Sequence, residues 1–472
     1  MASENIDFDT IPSSNLKPGQ YFEFNLKLAV RSLPTNAQTV LVIAQRTASG
    51  TVAALVPTQV FSGDDAAVYF GYGSLAHRAA VAAITANQYV DLTVIAVDDA
   101  QAGVVAKSTV TFSGPATADG AYALFIGADR VDVAVEASAT AADVAASFVD
   151  AIAQLPALPV TASANAAVLT LTAKNKGAAG NGIVVSQLGQ TAGVTAAIVP
   201  FAGGLNDPDI SDALTTVYGA SYDIYTVLPS EATLTKLRTH LDSISGAMEQ
   251  RPAIAAVGIS DTLSTGTTLA TDLNSGRISI AWYPGSIVLP TEIGAKYAAE
   301  IATEEDPARP LNTLPLIGMD ITPIAARSGI TEQRVALKNG ITPLEVGPGN
   351  VVQIVRAVTT YRKNAQGVDD PALLDLTTIR TLDYVRKSCR QRIALRFPRD
   401  KLSEKTPPKV RSELLDVLYK LEELEIIENV EANAALLIVE RDLQSVNQLN
   451  AAIPCDVVNG LHVFAGRIDL IL

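Results

Sequence analysis

Two six-residue runs, Thr39 to Ala44 (TVLVIA) and Leu92 to Val97 (LTVIAV), restrict this fold more than any other feature. A half-solvated strand alternates apolar and polar side chains; a run without alternation fits a strand covered on both faces. Between the two, Asp64 to Phe70 and Ser74 to Ala86 read as short helices. Strands of the same kind recur at Tyr222 to Leu228, Ala253 to Ile259 and Arg277 to Trp282, with Glu231 to Ile244 as a helix. Apolar strands alternating with helices predict an α/β layered core.

From about Gly103 to Gly204 the texture changes. Val104 to Phe112 alternates. Tyr122 to Ile126 and Val131 to Val135 read as a hairpin, and Val168 to Ala173 and Ile183 to Val185 as strands around the glycine loop 177–182. A helix is predicted over Thr140 to Leu155, capped by Thr140 with Asp143, with Val144, Phe148 and Ile152 on one face. This β-β-α-β-β unit reads as an inserted domain. At 472 residues the chain exceeds one ordinary core, and two to four domains are expected.

Beyond a Pro- and Gly-rich linker, Asp306 to Pro323, the chain reads as α+β. A long strand is expected over Val351 to Tyr361, then a polar loop to Pro371, whose acidic residues with Asp375 suit turn and cap duty. Helices follow at Thr377 to Phe397 and Pro408 to Ile426. The first carries Ile379, Leu382, Val385, Cys389 and Ile393 on one stripe, with Arg380, Lys387 and Arg390 opposite. Ala435 to Arg441 reads as a strand. Asn459–Gly460 is a hairpin signal, and His462 to Leu472 alternates as a last strand. At the other end, residues 1 to about 18 read as an extended arm carrying apolar points at Ile6, Phe8, Ile11 and Leu16, followed by a strand over Gln20 to Asn25.

The net charge of −14 argues against nucleic acid or an anionic membrane as partner. Between Arg356 and Arg411, however, fourteen Lys or Arg face six Asp or Glu. This predicts a basic surface for the acidic surface of another copy or partner, against the alternative of a solvated helix face with internal salt bridges. The first residues lack the basic and apolar regions of a signal peptide, and no run is long and apolar enough to span a membrane. The two cysteines, Cys389 and Cys455, read as small apolar side chains suited to a reducing cytoplasm.

Little in the sequence nominates catalysis. Gly71-x-Gly73-x-x-Ala76 imitates a dinucleotide loop, but the stretch before it reads as a helix and the acidic candidate, Asp91, as a loop residue. His77, His240 and His462 lie on separate elements without metal-ligand spacing. No cofactor, no metal and no enzymatic activity are expected.

Several strings together resemble the tail sheath family of Mu-like contractile phages. They are Leu16 to Phe24 (LKPGQYFEF), Phe70 to Ser74 (FGYGS), Gly177 to Gly182 (GAAGNG), Phe201 to Gly204, Asp306 to Leu311 (DPARPL) and Arg356 to Asp370 (RAVTTYRKNAQGVDD). They run in family order over nearly the whole chain. The resemblance implies a non-catalytic subunit of the virion tail, assembled in the host cytoplasm as stacked hexameric rings around a tail tube. Contraction would drive the tube through the host envelope, with the tube, baseplate and tail terminator proteins as further partners. It implies an N-terminal arm (1–18), a sheath-type α/β domain (19–102 plus 205–325), an inserted outer domain (103–204), an inner α+β domain (326–458) and a C-terminal arm (459–472). The arms would add strands to a neighbour's sheet, which makes Ile6, Phe8, Ile11, Leu16, Val463, Ile468, Leu470 and Leu472 expected inter-subunit contacts. Arg380, Lys387 and Arg390 become an expected tube-facing or inter-subunit patch. The rival readings are an adhesin or fibre-type binding protein, suggested by the Thr/Ala-rich inserted strands, and a cofactor-dependent α/β enzyme.

Overall fold

A computed structural model describes residues 14, 16–22, 33–188 and 191–471, and all counts here are of these. The chain opens a central sheet with Thr39–Gln45 (β1), Pro57–Gln59 (β2) and Asp91–Val97 (β3), placing the helices Gly63–Phe70 (α1) and Leu75–Ala86 (α2) between the last two. It leaves that sheet for Val105–Ser113 (β4), Gly120–Ile126 (β5), Asp129–Val135 (β6), Ala141–Ala153 (α3), Val160–Asn165 (β7), Val168–Lys176 (β8), Val185–Leu188 (β9) and Thr195–Ala202 (β10). It returns with Ser211–Thr216 (α4), Ile224–Val227 (β11), Glu231–Ile244 (α5), Ile254–Ile259 (β12), Leu263–Leu273 (α6) and Ile278–Trp282 (β13). Pro290–Ile301 (α7), Ile330–Lys338 (α8), Thr342–Val346 (β14) and Val352–Ile354 (β15) complete it.

The sheet runs β15-β14-β13-β12-β11-β1-β3-β2, parallel from β14 to β3, with an antiparallel strand at each edge. Successive side chains point to opposite faces, so the apolar runs feed two cores. Val40, Val42, Val94 and Ala256 pack with the alanines of α2 and with α7, while Leu41, Ile43, Tyr225 and Val257 pack with α4, α5 and α6. The most buried helix is α7, in which every residue from Thr291 to Ile301 is buried. It lies against β12 because neither partner has a side chain at the crossing. A Cβ at Gly258 would sit 2.5 Å from Ile293 Cβ, and one at Gly294 would sit 2.9 Å from Gly258 N.

The strands between β3 and β11 form two antiparallel sheets, β10-β4-β8-β7 and β6-β5-β9. Phe148 of α3 stacks on Phe112 with centroids 5.4 Å apart and meets Tyr122 edge-on, and the Thr140–Asp143 capping box starts α3 as expected. Arg78 of α2 ties this unit to the core: its Nε donates to Glu292 of α7 at 2.5 Å, and its Nη1 donates to Asp129 at 2.8 Å and to Ala157 O at 3.2 Å.

Several expectations are corrected. The unit from 105 to 202 has seven strands, two more than the five expected; β7 and β10 escaped because VTASAN and TAAIVPFA hold small or mixed residues without clean alternation. Helix α7 was not among the expected helices, although Glu292, Lys296 and Glu300 recur at four-residue spacing along one face. Asp91 opens β3 and is not a loop residue. The long strand over Val351 to Tyr361 is only Val352–Ile354. Beyond it the backbone leaves the ladder to bond side chains: Val358 N donates to Thr342 Oγ1, and Val358 O accepts from Ser279 Oγ at 2.7 Å. With β14 and β15, residues on the far side of the boundary expected near 325 complete the central sheet. Of the strand expected over Gln20 to Asn25, Gln20–Phe22 form none and the rest lies outside the described residues.

Gly258→Ala places a methyl inside the van der Waals radius of Ile293, and overpacking of this kind costs about 1–3 kcal/mol. Urea unfolding of the free subunit should show that loss, whereas Gly219→Ala, where nothing lies within 4 Å of the added Cβ, should change stability by less than about 0.5 kcal/mol.

Candidate inter-subunit surface

After β15 the chain builds a small lobe from Leu376–Arg396 (α9), Thr406–Glu423 (α10), Val430–Asn433 (α11), Ile438–Arg441 (β16) and Leu449–Ala452 (β17). Pro407 and Pro408 sit in the first turn of α10, where a missing N–H costs nothing. Val385 and Cys389 of α9 pack on Val410, Leu414, Val417 and Leu421 of α10. The apolar stripe of α9, which the sequence reads as core, is only partly covered. Leu382, Val385, Cys389 and Ile393 form one wall of an open groove of about 790 Å³, Val410 and Leu414 another, and Leu449, Ala451, Ile453 and Cys455 the third. Burial raises the Cys389 thiol to about 12 and also raises that of Cys455; both cysteines are free.

Strands β16 and β17 pair only with each other, from Ile438↔Ala452 to Arg441↔Leu449. Each therefore presents an unpaired row of backbone donors and acceptors among the described residues. The groove and this edge adjoin, because Leu449 and Ala451 belong to both. Sequence reasoning missed β17; LNAA has little β propensity, and the cross-strand register with β16 is its main support.

The terminal segment does not form the expected hairpin or strand within the chain. After the isolated bridge Ile427↔Val457 no residue to 471 joins a ladder. His462 anchors it, with Nδ1 2.9 Å from Asn312 Nδ2 and Nε2 3.6 Å from Asp375. Beyond that anchor Val463, Ile468 and Leu470 are 78%, 99% and 84% exposed, as is Leu16 at 94% near the other end. Alternation needs an edge to pair with, and among the described residues the backbone of these positions pairs with none. Ile6, Phe8, Ile11 and Leu472 lie outside the described residues.

The expected basic face divides. Arg380 is buried, donates to Glu304 O and has its pKa lowered to about 10 by that burial. It is therefore no part of an exposed patch. Arg392, also buried, pairs with Glu413 at 3.1 Å and Asp416 at 2.5 Å, while Arg356 grips Asp375 and Arg277 grips Asp383 with two bonds each. Much of the positive excess is consumed internally because α9 lies between the α/β layers and α10. Lys387 and Arg390 are left facing a cleft, bonded among the described residues to the neutral oxygens of Thr35 and Gln250 at 2.9 and 3.1 Å.

The strings that imitated chemistry have structural explanations. Gly71 and Gly73 take φ of 87° and 74° in the turn between α1 and α2, where Cβ atoms would lie 2.0 Å from Thr47 Oγ1 and 2.1 Å from Leu158 O. Burial lowers His77 and His240 to about 4, and His77 Nδ1 accepts from Gly73 N at 3.0 Å. Among the described residues no three His, Cys, Asp or Glu side chains converge to hold a metal, and no helix is long and apolar enough to cross a membrane.

Residues 203–360 match the central domain of phage tail sheath proteins and 368–471 match the phage tail sheath C-terminal domain. The chain is 32% identical over 491 aligned positions to the Mu-like prophage FluMu tail sheath protein of Haemophilus influenzae, covering 99% of this chain and all of that one. Its fold is similar to the sheath tail protein of Desulfitobacterium hafniense, with a TM-score of 0.53, 15% identity and coverage of 94% and 97% of the two chains. It is also similar to the sheath complex of an extracellular contractile injection system in its contracted state, with a TM-score of 0.51, 10% identity and 98% and 99% coverage. None of these likenesses supports the adhesin reading.

The two kinds of cation on α9 should separate on substitution. Arg392→Ala leaves carboxylates facing a buried gap and should cost the lobe about 3 kcal/mol in denaturant unfolding. Lys387→Ala with Arg390→Ala should change stability by less than about 0.5 kcal/mol.

Proposed function

The chain belongs to the phage tail sheath family, and from that premise we propose how its exposed surfaces serve a contractile sheath. It is a structural subunit of the tail, and its work is mechanical. The observation that carries the proposal is the open apolar groove beside the unpaired edge of β17, in a chain whose terminal segment is apolar, extended and without a ladder of its own. A neighbour's arms fill that space by strand addition. Main-chain bonds make such a link durable while alternate side chains enter the groove. In residues 1–16, Ile6 and Phe8 alternate with Asp7 and Asp9, the pattern of a strand with one apolar and one acidic face. Ile11, Leu16, Val463, Ile468, Leu470 and Leu472 contribute further inter-subunit contacts.

Subunits linked in this way form stacked hexameric rings around a tail tube and meet a baseplate at one end and a terminator at the other. Assembly takes place in the host cytoplasm, and no catalysis or cofactor is involved. The body divides into arms at 1–18 and 459–472, an outer unit at 103–204, an α/β unit that includes β14 and β15, and the C-terminal lobe. Contraction exchanges one set of inter-subunit contacts for a more extensive one. A difference of about 1.4 kcal/mol per subunit already shifts each equilibrium tenfold, and many subunits add their shares.

Deleting residues 1–16 should leave a subunit that folds normally by circular dichroism yet forms neither rings nor tubes by electron microscopy. The only cysteines, Cys389 and Cys455, both line the groove, so their reactivity reports its occupancy. A small mercurial should label Cys455 in the free subunit at least about tenfold faster than in assembled wild-type protein. Normal polymers from the truncated chain, or equal labelling in both states, would remove the groove from the assembly contact.

A further inference from the structure

The cleft holding Lys387 and Arg390 has a partner elsewhere on the same chain that it cannot reach. The cleft, about 430 Å³, lies between α9 and the loop after α5. Its other charged walls are accounted for: Arg386 bonds Ser245 O and Asp383, Arg251 bonds Glu249, and Asp223 accepts from Thr39. Among the described residues neither Lys387 nor Arg390 meets a carboxylate.

The end of α10 and the segment after it are charged in the opposite sense. Glu422, Glu423, Glu425, Glu428 and Glu431 fall within ten residues, and no Lys or Arg occurs between Lys420 and Arg441. Glu422 accepts from Val430 N and Glu431 from Tyr419 Oη. Glu423, Glu425 and Glu428 are exposed, and no described cation pairs with them. The helix C-terminus adds its own negative end to this group.

Helix geometry keeps the two apart within one chain. Asp383, Lys387, Arg390 and Ala394 form the stripe of α9 that lines the cleft, whereas Val385, Cys389, Arg392 and Arg396 form the stripe that meets α10. The stripes are offset by two residues, which at about 100° per residue turns them to nearly opposite faces. The acidic end therefore lies across the helix from its own cleft. We propose that the acidic segment 422–431 of one copy docks in the Lys387–Arg390 cleft of the next. Such a contact is heterologous, with different surfaces on the two partners, and heterologous contacts are what close rings or extend helices. The proposal rests on the polymer reading; the cleft shares Gln250, Arg386, Arg390 and Ala394 with the rim of the arm groove, so the two are separated by recovery in a charge-swapped mixture, which filling of the groove by an arm does not predict.

The test uses two full-length variants, Lys387→Glu with Arg390→Glu and Glu425→Lys with Glu428→Lys, each checked for native thermal unfolding. Sedimentation is run at low salt on purified subunits without any other protein. Each variant alone places like charges at the contact and should associate at least about tenfold more weakly than wild type. Their equimolar mixture restores opposite charges at both kinds of junction and should associate again, with the gain lost at about 0.5 M salt. Recovery in the mixture supports the contact even where wild-type protein needs a tube to form long polymers. Undiminished association of either variant alone would overturn it. So would a mixture no better than its parts, which would assign the cleft to an acidic tube or another partner.

Discussion

The architecture depends on how closely α7 approaches the centre of the parallel sheet. A helix normally stands off a sheet by the length of its side chains; here Gly258 and Gly294 face each other, and backbone meets backbone. That approach buries all of α7 from Thr291 onward, so its polar residues need partners inside. Glu292 receives Arg78, Lys296 Nζ donates to Ile317 O at 3.2 Å, and Tyr297 Oη lies 2.8 Å from Ser279 Oγ. Among the described residues Glu300 has no such cation, and burial raises its carboxyl to about 7. The same hydroxyl cluster, through Thr342 and Val358, ends the sheet at β15 and turns the chain toward the lobe. One steric vacancy thus places the central sheet, the docking of the unit from 105 to 202 and the exit to the C-terminal lobe.

The sequence was legible where burial is one-sided or strand-like. The runs at β1 and β3, the capping box of α3 and the apolar stripes of α9 and α10 each leave a period or a cap that survives in one dimension. It was illegible where packing covers a polar face or overrides propensity. Helix α7 buries its polar stripe of Glu292, Lys296 and Glu300, and α6, opening LSTGTT, is held by its place on the sheet more than by propensity. The strings that resemble sheath proteins proved informative for the same reason that they mimic cofactor loops: Gly71 and Gly73 mark a turn in close contact with Thr47 and Leu158.

Charge was misread in a different way. Fourteen cations between 356 and 411 look like a surface, but a sequence does not show that α9 is covered on two sides. Arg380 and Arg392 turn inward because each finds an oxygen there, Glu304 O in one case and two carboxylates in the other. The offset between stripes separates Arg392 from Lys387 and Arg390, whereas Arg380 shares the face of Lys387 and is buried further along the helix, under Glu304.

Unpaired elements are costly to leave in water, which bears on why the free subunit looks unfinished. An open strand edge invites indiscriminate pairing, and proteins usually blunt such edges with charge or proline or keep them short. Strand β17 has four residues and no charge, and it borders an apolar groove that stays open among the described residues. The exposed residues from Val463 to Ile471 repeat the pattern at the terminus, with Arg467 and Asp469 as the interrupting charges. A subunit that kept these surfaces for itself would be more stable alone and could not link to its neighbours. In the proposed strand addition, the edge and the strand left unsatisfied are the two halves of the link between copies. Contraction then needs bonds that persist while bodies rotate, and extended segments meet that need better than rigid faces, because their backbone torsions absorb the rotation while the ladder stays paired.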